Sequence, residues 1–463
     1  MKTALVEKPS PVVKGKQEFV LKPDSSPNQA SAIQYAIDAC SAQGGGKVIL
    51  QPGQYRSGTI ILRNGVTLHL EKDAVLLGSS DVADYKPWEM GPGARVNGGV
   101  GTALVYAEKA DSIALTGEGK IDGSGHTYFG KSDNPPDWVK ARKPMGTWIP
   151  GFEAKLLGNR PRALILLVDC TNVRIEVKHV ENSPAWTIHL LACEHVVMRG
   201  VQLLGALNGA NTDGVDLDAC SDVLVEDCDI FTGDDAMCLK NTNTKGLKRP
   251  SRRITVRRCR LRSTTHGFTI GTETQENFED ITFADSQIDM AGEYRTLTGI
   301  GLSILDGGTI ARLKISNVTV SDSIAPIQIR LGNAGRGQEK PTPGMLRDIV
   351  LEDVTIKRAF GNNLIMGLKG HPIKNIALRR VSLEFAGPID PAMIMPELPE
   401  QATEFPATEV WRFLPAYGFY CRHVDGLEMT DMTITTTVED KRPALIVKNV
   451  SKLKCTLQAS EES

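Results

Sequence analysis

Short alternating runs of apolar and polar residues dominate this chain, and from residue 172 onward they follow one repeating pattern. The pattern is nine residues long, with apolar residues at its second, fourth, seventh and ninth positions. Alternation with a period near two predicts β-strands. The copies are NVRIEVKHV (172–180, the loosest), HVVMRGVQL (195–203), DVLVEDCDI (222–230), RITVRRCRL (253–261), DITFADSQI (280–288), RLKISNVTV (312–320), DIVLEDVTI (348–356), NIALRRVSL (375–383) and GLEMTDMTI (426–434).

The spacing of these copies predicts a stack of parallel β-coils. Most intervals between successive copies are 23 to 36 residues, which is the length of one unit in a repeat protein. Because no amphipathic helix follows each strand, the pattern excludes a TIM barrel and a Rossmann fold. The first apolar positions of the copies are residues 173, 196, 223, 254, 281, 313, 349, 376 and 427.

The N-terminal part of the chain predicts one short helix followed by strands. From Asn28 to Cys40 apolar residues recur at helical spacing, and the run Gln43-Gly44-Gly45-Gly46 should end the helix. Such a helix would cap the open edge of a stack of strands. Strands are predicted at 47–50, 59–62, 66–70 and 74–77.

The repeat also predicts the domain organisation. We expect residues 1–27 to be an N-terminal extension and residues 28–463 to form a single domain. Two segments interrupt the repeat, near 126–160 and 384–421, and such insertions usually build the walls of a site on one face. We therefore expect aromatic residues of the insertions, Trp148 and Tyr417 in particular, to bind substrate.

Composition narrows the range of partners and compartments. The 463-residue chain has a net charge of −2 with no long run of one sign, so neither nucleic acid nor an anionic membrane is expected as a partner. No stretch approaches the ~18 apolar residues of a membrane span. Residues 1–16 have too short an apolar run for a secretory leader. We expect either that the protein stays inside the cell or that a leader has been removed.

The nine cysteines fit the repeat better than they fit disulfides or metal ligands. An odd number cannot pair completely within the chain, and no Cys/His cluster has the spacing of a metal site. Five of them occupy two predicted inward-facing ladders where other copies carry apolar residues, namely Cys170, Cys193, Cys220, Cys228 and Cys259. We expect these to be buried free thiols.

Three aspartates and a histidine fall where the repeat brings them together. Asp213 and Asp235 are 22 residues apart, about one coil, and Asp234 adjoins Asp235. Asp235 and His266 each follow the first apolar position of their copies by 12 residues, so they should be neighbours on coils about 4.8 Å apart. Three carboxyl groups and an imidazole are thus expected to converge.

Two interpretations of this cluster are open at the level of spacing. Cleaving a glycosidic bond requires one carboxylic acid and one carboxylate, and crowding of like charges raises one pKa so that one group keeps its proton. The strings NTDG and TGDD are equally typical of turns, and His266 alone could be a structural polar residue. We expect Asp216 and Asp218, which alternate with Val215 and Leu217, to be solvent-facing or structural.

The motifs Asn211-Thr212-Asp213, Gly233-Asp234-Asp235 and Thr265-His266-Gly267 resemble those of family 28 of the glycoside hydrolases, the polygalacturonase family. Their order and their one-coil separations match as well. The resemblance implies a right-handed parallel β-helix, a solenoid with a short N-terminal capping helix, and hydrolysis of α-linked galacturonate with inversion. It implies neither a metal nor an organic cofactor.

The resemblance also implies a role for each residue of the motifs. Asp234 would be the general acid, and Asp213 and Asp235 would hold the attacking water. His266 would tune the acid. Asn211 and Lys240 would lie in the cleft near the bound sugar.

The sequence departs from that family in two places. Thr265 replaces the first glycine of the third motif. The register places Gly301-Leu302-Ser303 where the family has Arg-Ile-Lys, whose cations contact the sugar carboxylate on the leaving-group side. Losing them fits a rhamnogalacturonan-type bond, whose leaving sugar has no carboxylate. Arg295, or Arg330, which aligns with Lys240 two coils later, could compensate instead.

We therefore predict an inverting glycoside hydrolase that cleaves α-galacturonosyl linkages in a pectic oligo- or polysaccharide. A rhamnogalacturonan-type bond is favoured. The alternative within this class is a polygalacturonase that acts on homogalacturonan. A β-helix polysaccharide lyase, which typically needs Ca²⁺, and a non-catalytic glycan-binding solenoid are alternatives from other classes. A pectic substrate would place the protein in the periplasm or outside the cell.

Overall fold

The computed structural model describes residues 17–87, 99–131, 154–207, 209–290, 294–361, 363–387, 392, 394–404, 413–437 and 439–461. Within these ranges the protein is an all-β structure with little helix. Helix α1 spans Ala30–Ala42, and short 3-10 turns occur at Val82–Asp84, Gly125–Thr127 and Thr244–Gly246. No helix among the described residues is long and apolar enough to cross a membrane.

The strands are numbered in chain order. In the first part they are β1 Gln17–Leu21, β2 Gly46–Leu50, β3 Gly53–Ser57, β4 Ile60–Ile61, β5 Val66–Leu70, β6 Ala74–Gly78, β7 Gly99–Glu108, β8 Asp111–Asp122, β9 Phe129–Lys131 and β10 Ala154–Leu156. In the middle they are β11 Arg160–Val168, β12 Thr171–Glu181, β13 Trp186–Leu191, β14 Glu194–Arg199, β15 Gln202–Leu204, β16 Val215–Asp218, β17 Ser221–Glu226, β18 Asp229–Thr232, β19 Met237–Asn241, β20 Ser251–Arg257 and β21 Arg260–Ser263. The last are β22 His266–Thr274, β23 Phe278–Ile288, β24 Thr296–Ile304, β25 Thr309–Leu331, β26 Met345–Ala359, β27 Asn363–Met366, β28 Ile373–Phe385, β29 Phe419–Thr436 and β30 Leu445–Glu461.

Parallel pairing recurs once per copy of the nine-residue pattern. Val196 pairs with Val223, and Val223 pairs with Ile254. The same ladder continues through the later copies to Leu427, and its members are all buried in one core. The predicted register of the copies is confirmed.

Left-handed residues explain why the pattern breaks where it does. The residue just before the first apolar position has a φ between 52° and 86° in all nine copies. In eight copies the residue four positions after the first apolar position is also left-handed. Asn, Asp and Gly tolerate this conformation best. The polar positions of the pattern are therefore sharp bends on either side of a short strand. The first set is 172, 195, 222, 253, 280, 312, 348, 375 and 426, and the second is 200, 227, 258, 285, 317, 353, 380 and 431.

Helix α1 packs against the first strands of the sheet, as predicted. It contacts β1, β2, β4 and β5 and buries Ile33, Ala36, Ile37 and Cys40. Gly44 and Gly45 follow it with φ values of 91° and 96°, which favour glycine and end the helix. Strand β1 pairs in parallel with β2, so residues 17–21 belong to the sheet although the sequence had placed them in an extension.

The cysteine ladders are buried, as predicted. All five predicted thiols are free and buried, namely Cys170, Cys193, Cys220, Cys228 and Cys259. Burial raises the pKa of Cys193 well above its ordinary value, so this thiol is not a nucleophile at neutral pH. Cys455 on β30 is the exposed member of the nine.

Candidate active site

The candidate site lies on the outer face of one row of stacked strands. In this row His189 pairs with Asp216, Asp216 with Cys238, and Cys238 with Thr269. Side chains alternate between the two faces of a strand. The intervening residues, among them Ile188, Val215, Leu217, Met237 and Leu239, therefore fill the core, and the polar residues project outward.

Asp213, Asp235 and His266 are neighbours on three successive levels of this row, as their spacing predicted. The backbone N–H of Gly214 donates to the carbonyl of Asp235 at 2.7 Å, and that of Ala236 donates to the carbonyl of His266 at 2.9 Å. Three of the four predicted catalytic residues thus lie at one position of consecutive repeats.

His266 fixes the charge state of Asp235. Its Nδ1 atom lies 2.6 Å from Oδ1 of Asp235, and both side chains keep some exposure, 14% and 13%. Burial opposes ionisation of Asp235, but the charge and hydrogen bond of His266 outweigh it and lower the pKa of Asp235 to about 2. Asp235 is therefore a carboxylate at any working pH.

Asp234 is held by its immediate surroundings. Its Oδ2 accepts the backbone N–H of Asn211 at 3.2 Å, and its Oδ1 accepts the backbone N–H of Asp235 at 3.1 Å. The hydroxyl of Thr265 lies 3.1 Å from Oδ1 of Asp234 and 3.2 Å from Oδ1 of Asp235. Asn211 thus contributes to the site through its backbone, where its left-handed φ of 57° turns the N–H toward Asp234.

Lys240 joins the predicted cluster and links two carboxyl groups. Its Nζ lies 3.1 Å from Oδ2 of Asp213 and 3.2 Å from Oδ1 of Asp216. It also lies 4.4 Å from the ring centroid of Trp186, within cation–π range. Burial disfavours its charge, but Asp216 and Asp213 outweigh this and raise the pKa of Lys240 well above its ordinary value.

One lysine cannot neutralise two buried carboxyl groups. Burial is the main cause that raises the pKa of Asp213 well above its ordinary range, and the nearby carboxyls of Asp216, Asp234 and Asp235 add to it. Burial likewise raises the pKa of Asp216 to about 7, against the opposing effect of Lys240. Burial therefore favours the protonated forms of both carboxyl groups, and Lys240 opposes this effect in each of them.

The expectation that Asp216 and Asp218 face solvent is wrong, because both are fully buried. Asp216 pairs with Lys240, and Asp218 accepts from the hydroxyl of Thr242 at 2.5 Å and lies 3.2 Å from Nε2 of His189. The bond to His189 lowers the pKa of Asp218 in spite of burial. The structural role, the other expectation for these two residues, is the one that their contacts fit.

Sequence reasoning missed two arginines next to the site. Arg160 donates to the carbonyls of Pro184 and Ala210 at 2.8 and 2.7 Å, and the charges of Asp213 and Asp234 act on it. Arg162 lies with its guanidinium carbon 5.5 Å from the ring centroid of Trp186. Burial lowers the pKa of each arginine to about 10. The signal was the run Arg160-Pro161-Arg162 at the head of an otherwise apolar strand.

Arg295 and Arg330 are not part of the carboxylate cluster. The register through Ile270, Leu302 and Ile329 places Arg330 three strands beyond Lys240, and not two as the sequence predicted. Arg330 is fully buried, donates to the carbonyls of Glu404 (3.1 Å) and Gln401, and has its pKa lowered by burial to about 10. The guanidinium carbon of Arg295 lies 3.5 Å from the ring centroid of Phe360.

Tyr417, one of the two predicted aromatic residues, does not join the site. Tyr417 is 7% exposed, belongs to the core, and packs with its ring 6.0 Å from that of Phe385. Nearby Tyr420 lies six strands from Asp216 along the row, or about 30 Å at the usual spacing. Trp148 lies outside the described residues, in an insertion whose base is closed by the antiparallel pair of β9 and β10.

The outer face changes character on the two sides of the carboxylates. Toward the N-terminus it carries Arg160 and Arg162. Toward the C-terminus the next residues of the row are neutral, namely Thr269, Gly301, Ser303 and Gln328. Beyond these lies an apolar cluster that includes Leu364, Met366 and Tyr420.

Taken together, the site offers a partly exposed carboxyl group, an adjacent ionised carboxylate and a buried lysine on the outer face of a parallel sheet. One carboxylic acid and one carboxylate that can flank the scissile bond are what a glycoside hydrolase needs. Residues 93–399 match the family profile described as Glycosyl hydrolases family 28. The chain belongs to this family, and the protein is a glycoside hydrolase.

Individual relatives agree with this assignment. A protein named probable polygalacturonase from Vitis vinifera is 26% identical over 386 residues, which is 78% of this chain and 72% of that protein. The family 28 exopolygalacturonase of Yersinia enterocolitica superposes with a TM-score of 0.69 at 18% identity, over 96% of this chain and 79% of that one. A hyperthermoactive exopolygalacturonase from Thermotoga maritima gives 0.65 at 23% identity, over 80% and 88%. The chain shares the fold of these enzymes.

Proposed function

We propose that this protein hydrolyses α-galacturonosyl linkages in a pectic polysaccharide, with inversion, on a right-handed parallel β-helix. The observation that supports this best is the cluster of Asp213, Asp234, Asp235 and His266 on successive levels of one outer face. The relatives named polygalacturonase point to the same substrate class.

The environments of the carboxyl groups support separate roles. Asp234 keeps some exposed surface, so it can reach a glycosidic oxygen and act as the general acid. Asp235 is ionised and partly exposed, which suits a general base that activates water. Asp213, one strand spacing of about 4.8 Å from Asp235, completes the pair that holds this water.

One electrostatic observation favours a second assignment of the acid. Burial raises the pKa of Asp213 well above its ordinary range. A raised pKa is a property of general acids. The low exposure of Asp213, 2%, argues instead for Asp234 as the group that reaches the substrate. Variants of both residues, tested on substrates that differ in leaving group, distinguish the two assignments.

We further propose that the leaving sugar carries no carboxylate, as in a rhamnogalacturonan-type bond. Galacturonate needs a cationic neighbour, and Lys240, Arg160 and Arg162 lie at or N-terminal to the carboxylates. C-terminal to them the next strands of this face carry Thr269, Gly301, Ser303 and Gln328, which are neutral. Arg330 and Arg295 on that side are engaged by backbone carbonyls and by Phe360.

The test is a product profile on defined rhamnogalacturonan and homogalacturonan oligomers. We expect new reducing ends whose first-formed anomer is inverted by NMR, and faster release from the rhamnogalacturonan oligomer. A product absorbing as an unsaturated uronide, with activity abolished by chelation of Ca²⁺, would instead identify a lyase. No reducing-sugar release from any pectin would identify a glycan-binding protein, and a preference for homogalacturonan would refute the rhamnogalacturonan assignment alone.

A further inference from the structure

Thr265 occupies a position between the two carboxyl groups to which we assign acid and base. The sequence has a threonine at this position, where the Gly-His-Gly motif that it resembles has a glycine. The side chain is 3% exposed. Its Oγ1 lies 3.1 Å from Oδ1 of Asp234 and 3.2 Å from Oδ1 of Asp235. A glycine would place no atom there.

The hydrogen atoms around Thr265 can be assigned from its neighbours. Ser263 donates its hydroxyl hydrogen to the carbonyl of Asp234 at 2.6 Å and accepts the backbone N–H of Thr265 at 2.8 Å. The Ser263 hydroxyl, 3.0 Å from that of Thr265, therefore has no hydrogen left to give to Thr265. A threonine hydroxyl has one hydrogen to donate and two lone pairs. Thr265 can thus donate once and still accept once.

The charge state of Asp235 decides the direction of that single donation. Asp235 is the ionised partner, because His266 contacts it at 2.6 Å. A hydroxyl donates more strongly to a carboxylate than to a neutral oxygen. The Thr265 hydrogen therefore goes to Asp235, and a lone pair of the same oxygen is left facing Asp234. A protonated Asp234 carboxyl can donate to that lone pair, whereas an ionised one cannot.

We propose that Thr265 is a positioning residue that favours the protonated form of Asp234 in the free enzyme. The chain of hydrogen bonds runs from Asp234 to the Thr265 hydroxyl, then to Asp235, which is also held by His266. It favours the proton on the acid and the charge on the base, and it opposes the backbone N–H groups of Asn211 and Asp235, which favour the ionised form of Asp234. This inference deepens the proposed function and depends on the roles given there to Asp234 and Asp235.

Other charged groups also surround Asp234. They are Asp213 on the preceding level of the row, Asp235 beside it, His266 bonded to Asp235, Arg160 on the N-terminal side, and Lys240 through its contact with Asp213. Thr265 differs from all of them because it is neutral. Removing its hydroxyl therefore changes hydrogen bonding without changing the charge of the site.

The test compares Thr265→Val, which keeps the shape and removes the hydroxyl, with Thr265→Ser, which keeps the hydroxyl. The readout is the pH profile of kcat/KM on the pectic oligomer that the enzyme cleaves best. We expect Thr265→Val to lower kcat about 10-fold and to move the alkaline limb of the profile to lower pH by about half to one unit, because one hydrogen bond to the protonated acid is lost. Thr265→Ser should restore both.

A second substrate separates this role from a structural one. An aryl α-galacturonide with a good leaving group does not need an acid, so the loss of rate in Thr265→Val should be much smaller on this substrate than on the pectic oligomer. Thr265→Ala provides a second hydroxyl-free variant if the valine variant unfolds at a lower temperature than wild type. An unshifted alkaline limb in the hydroxyl-free variants, or a serine variant that behaves like them, would overturn the proposal.

The outcome also distinguishes this inference from the function beneath it. If Asp234→Asn loses activity on the oligomer and Thr265→Val keeps the wild-type profile, the Thr265 inference alone is wrong. If Asp234→Asn keeps wild-type activity, the assignment of the acid is wrong and the Thr265 inference is overturned with it.

Discussion

Nδ1 of His266 lies 2.6 Å from Oδ1 of Asp235, and the two residues come from adjacent levels of the stack, 31 positions apart in sequence. The contact makes a charge-assisted hydrogen bond that lowers the pKa of Asp235 to about 2. A carboxyl whose pKa is lower in the folded than in the unfolded chain stabilises the fold above pH ~4. That contribution is lost as the pH falls through about 2.

His266→Gln should shift the acid limb of the kcat/KM profile upward. Glutamine can still donate a hydrogen bond but carries no charge, so the pKa of Asp235 rises by about one unit and the base is protonated at higher pH. The measurement is the pH dependence of kcat/KM between pH 3 and 8. His195→Gln, which changes a histidine at a bend away from the site, is the control and should leave the limb in place.

Lys240→Met should destabilise the protein more at pH 8 than at pH 5. Without the ammonium, Asp213 and Asp216 are buried and uncompensated, and breaking a buried ion pair costs about 3–5 kcal/mol. At pH 5 both carboxyls can bind protons, which reduces the loss. Urea unfolding at the two pH values measures the difference.

Lys245→Met is the matched control for the lysine variant. Lys245 pairs with Glu108 at 2.6 Å, but both side chains are partly exposed, 22% and 35%. Exposed pairs contribute about 0–1 kcal/mol. An equal loss at the two pH values in Lys240→Met would contradict the account of one lysine shared by two buried carboxyls.

Asp216→Asn should reduce the loss of stability that occurs as the pH rises. Burial raises the pKa of Asp216 from 3.8 to about 7, so the group releases its proton in the unfolded chain before it does in the folded one. Stability from this group is fully present below pH ~4 and is lost as the pH rises through 7. Between pH 5 and pH 8, the urea concentration at the midpoint of unfolding should therefore fall less for the variant than for wild type. A parallel pH dependence in the two proteins would contradict this.

Tyr417→Ala should act on stability and not on substrate binding. Tyr417 is buried among core residues, and removing a buried aromatic side chain costs about 3–5 kcal/mol. KM of the folded fraction should stay at the wild-type value. A raised KM with unchanged unfolding would instead restore the binding role that the sequence had suggested for this residue.

The sequence predicted those features of the fold and of the site that recur with the repeat. The ladder from Val196 to Leu427 and the neighbouring positions of Asp235 and His266 follow from counting, because a strand in a parallel stack returns at a fixed offset. Helix α1 was visible for the same reason of periodicity, with Ile33, Ile37 and Cys40 on one face.

Features that depend on the depth of burial were not predictable. Alternation with Val215 and Leu217 placed Asp216 on the outer face of the strand. A residue on the outer face was expected to be exposed to solvent. On this face Lys240 and Asp213 cover Asp216, and no local sequence feature encodes that cover. For Tyr417 the sequence suggested a position in the cleft, but the residue lies in the core. An aromatic residue next to an insertion can pack inward as readily as it can line a cleft.

The rate of Asp234→Asn on two substrates tests the central claim most directly. The control is Asp227→Asn, an exposed aspartate in a left-handed conformation that asparagine also adopts. On the pectic oligomer we expect kcat to fall by at least about 100-fold, because general acids contribute about 10²–10⁴-fold, while the folded structure and substrate binding are kept. On an aryl α-galacturonide with a good leaving group the loss should be much smaller, since no proton donor is needed. Wild-type kcat of Asp234→Asn on the oligomer, or the same selective loss in Asp213→Asn instead, would contradict the assignment of Asp234 as the acid.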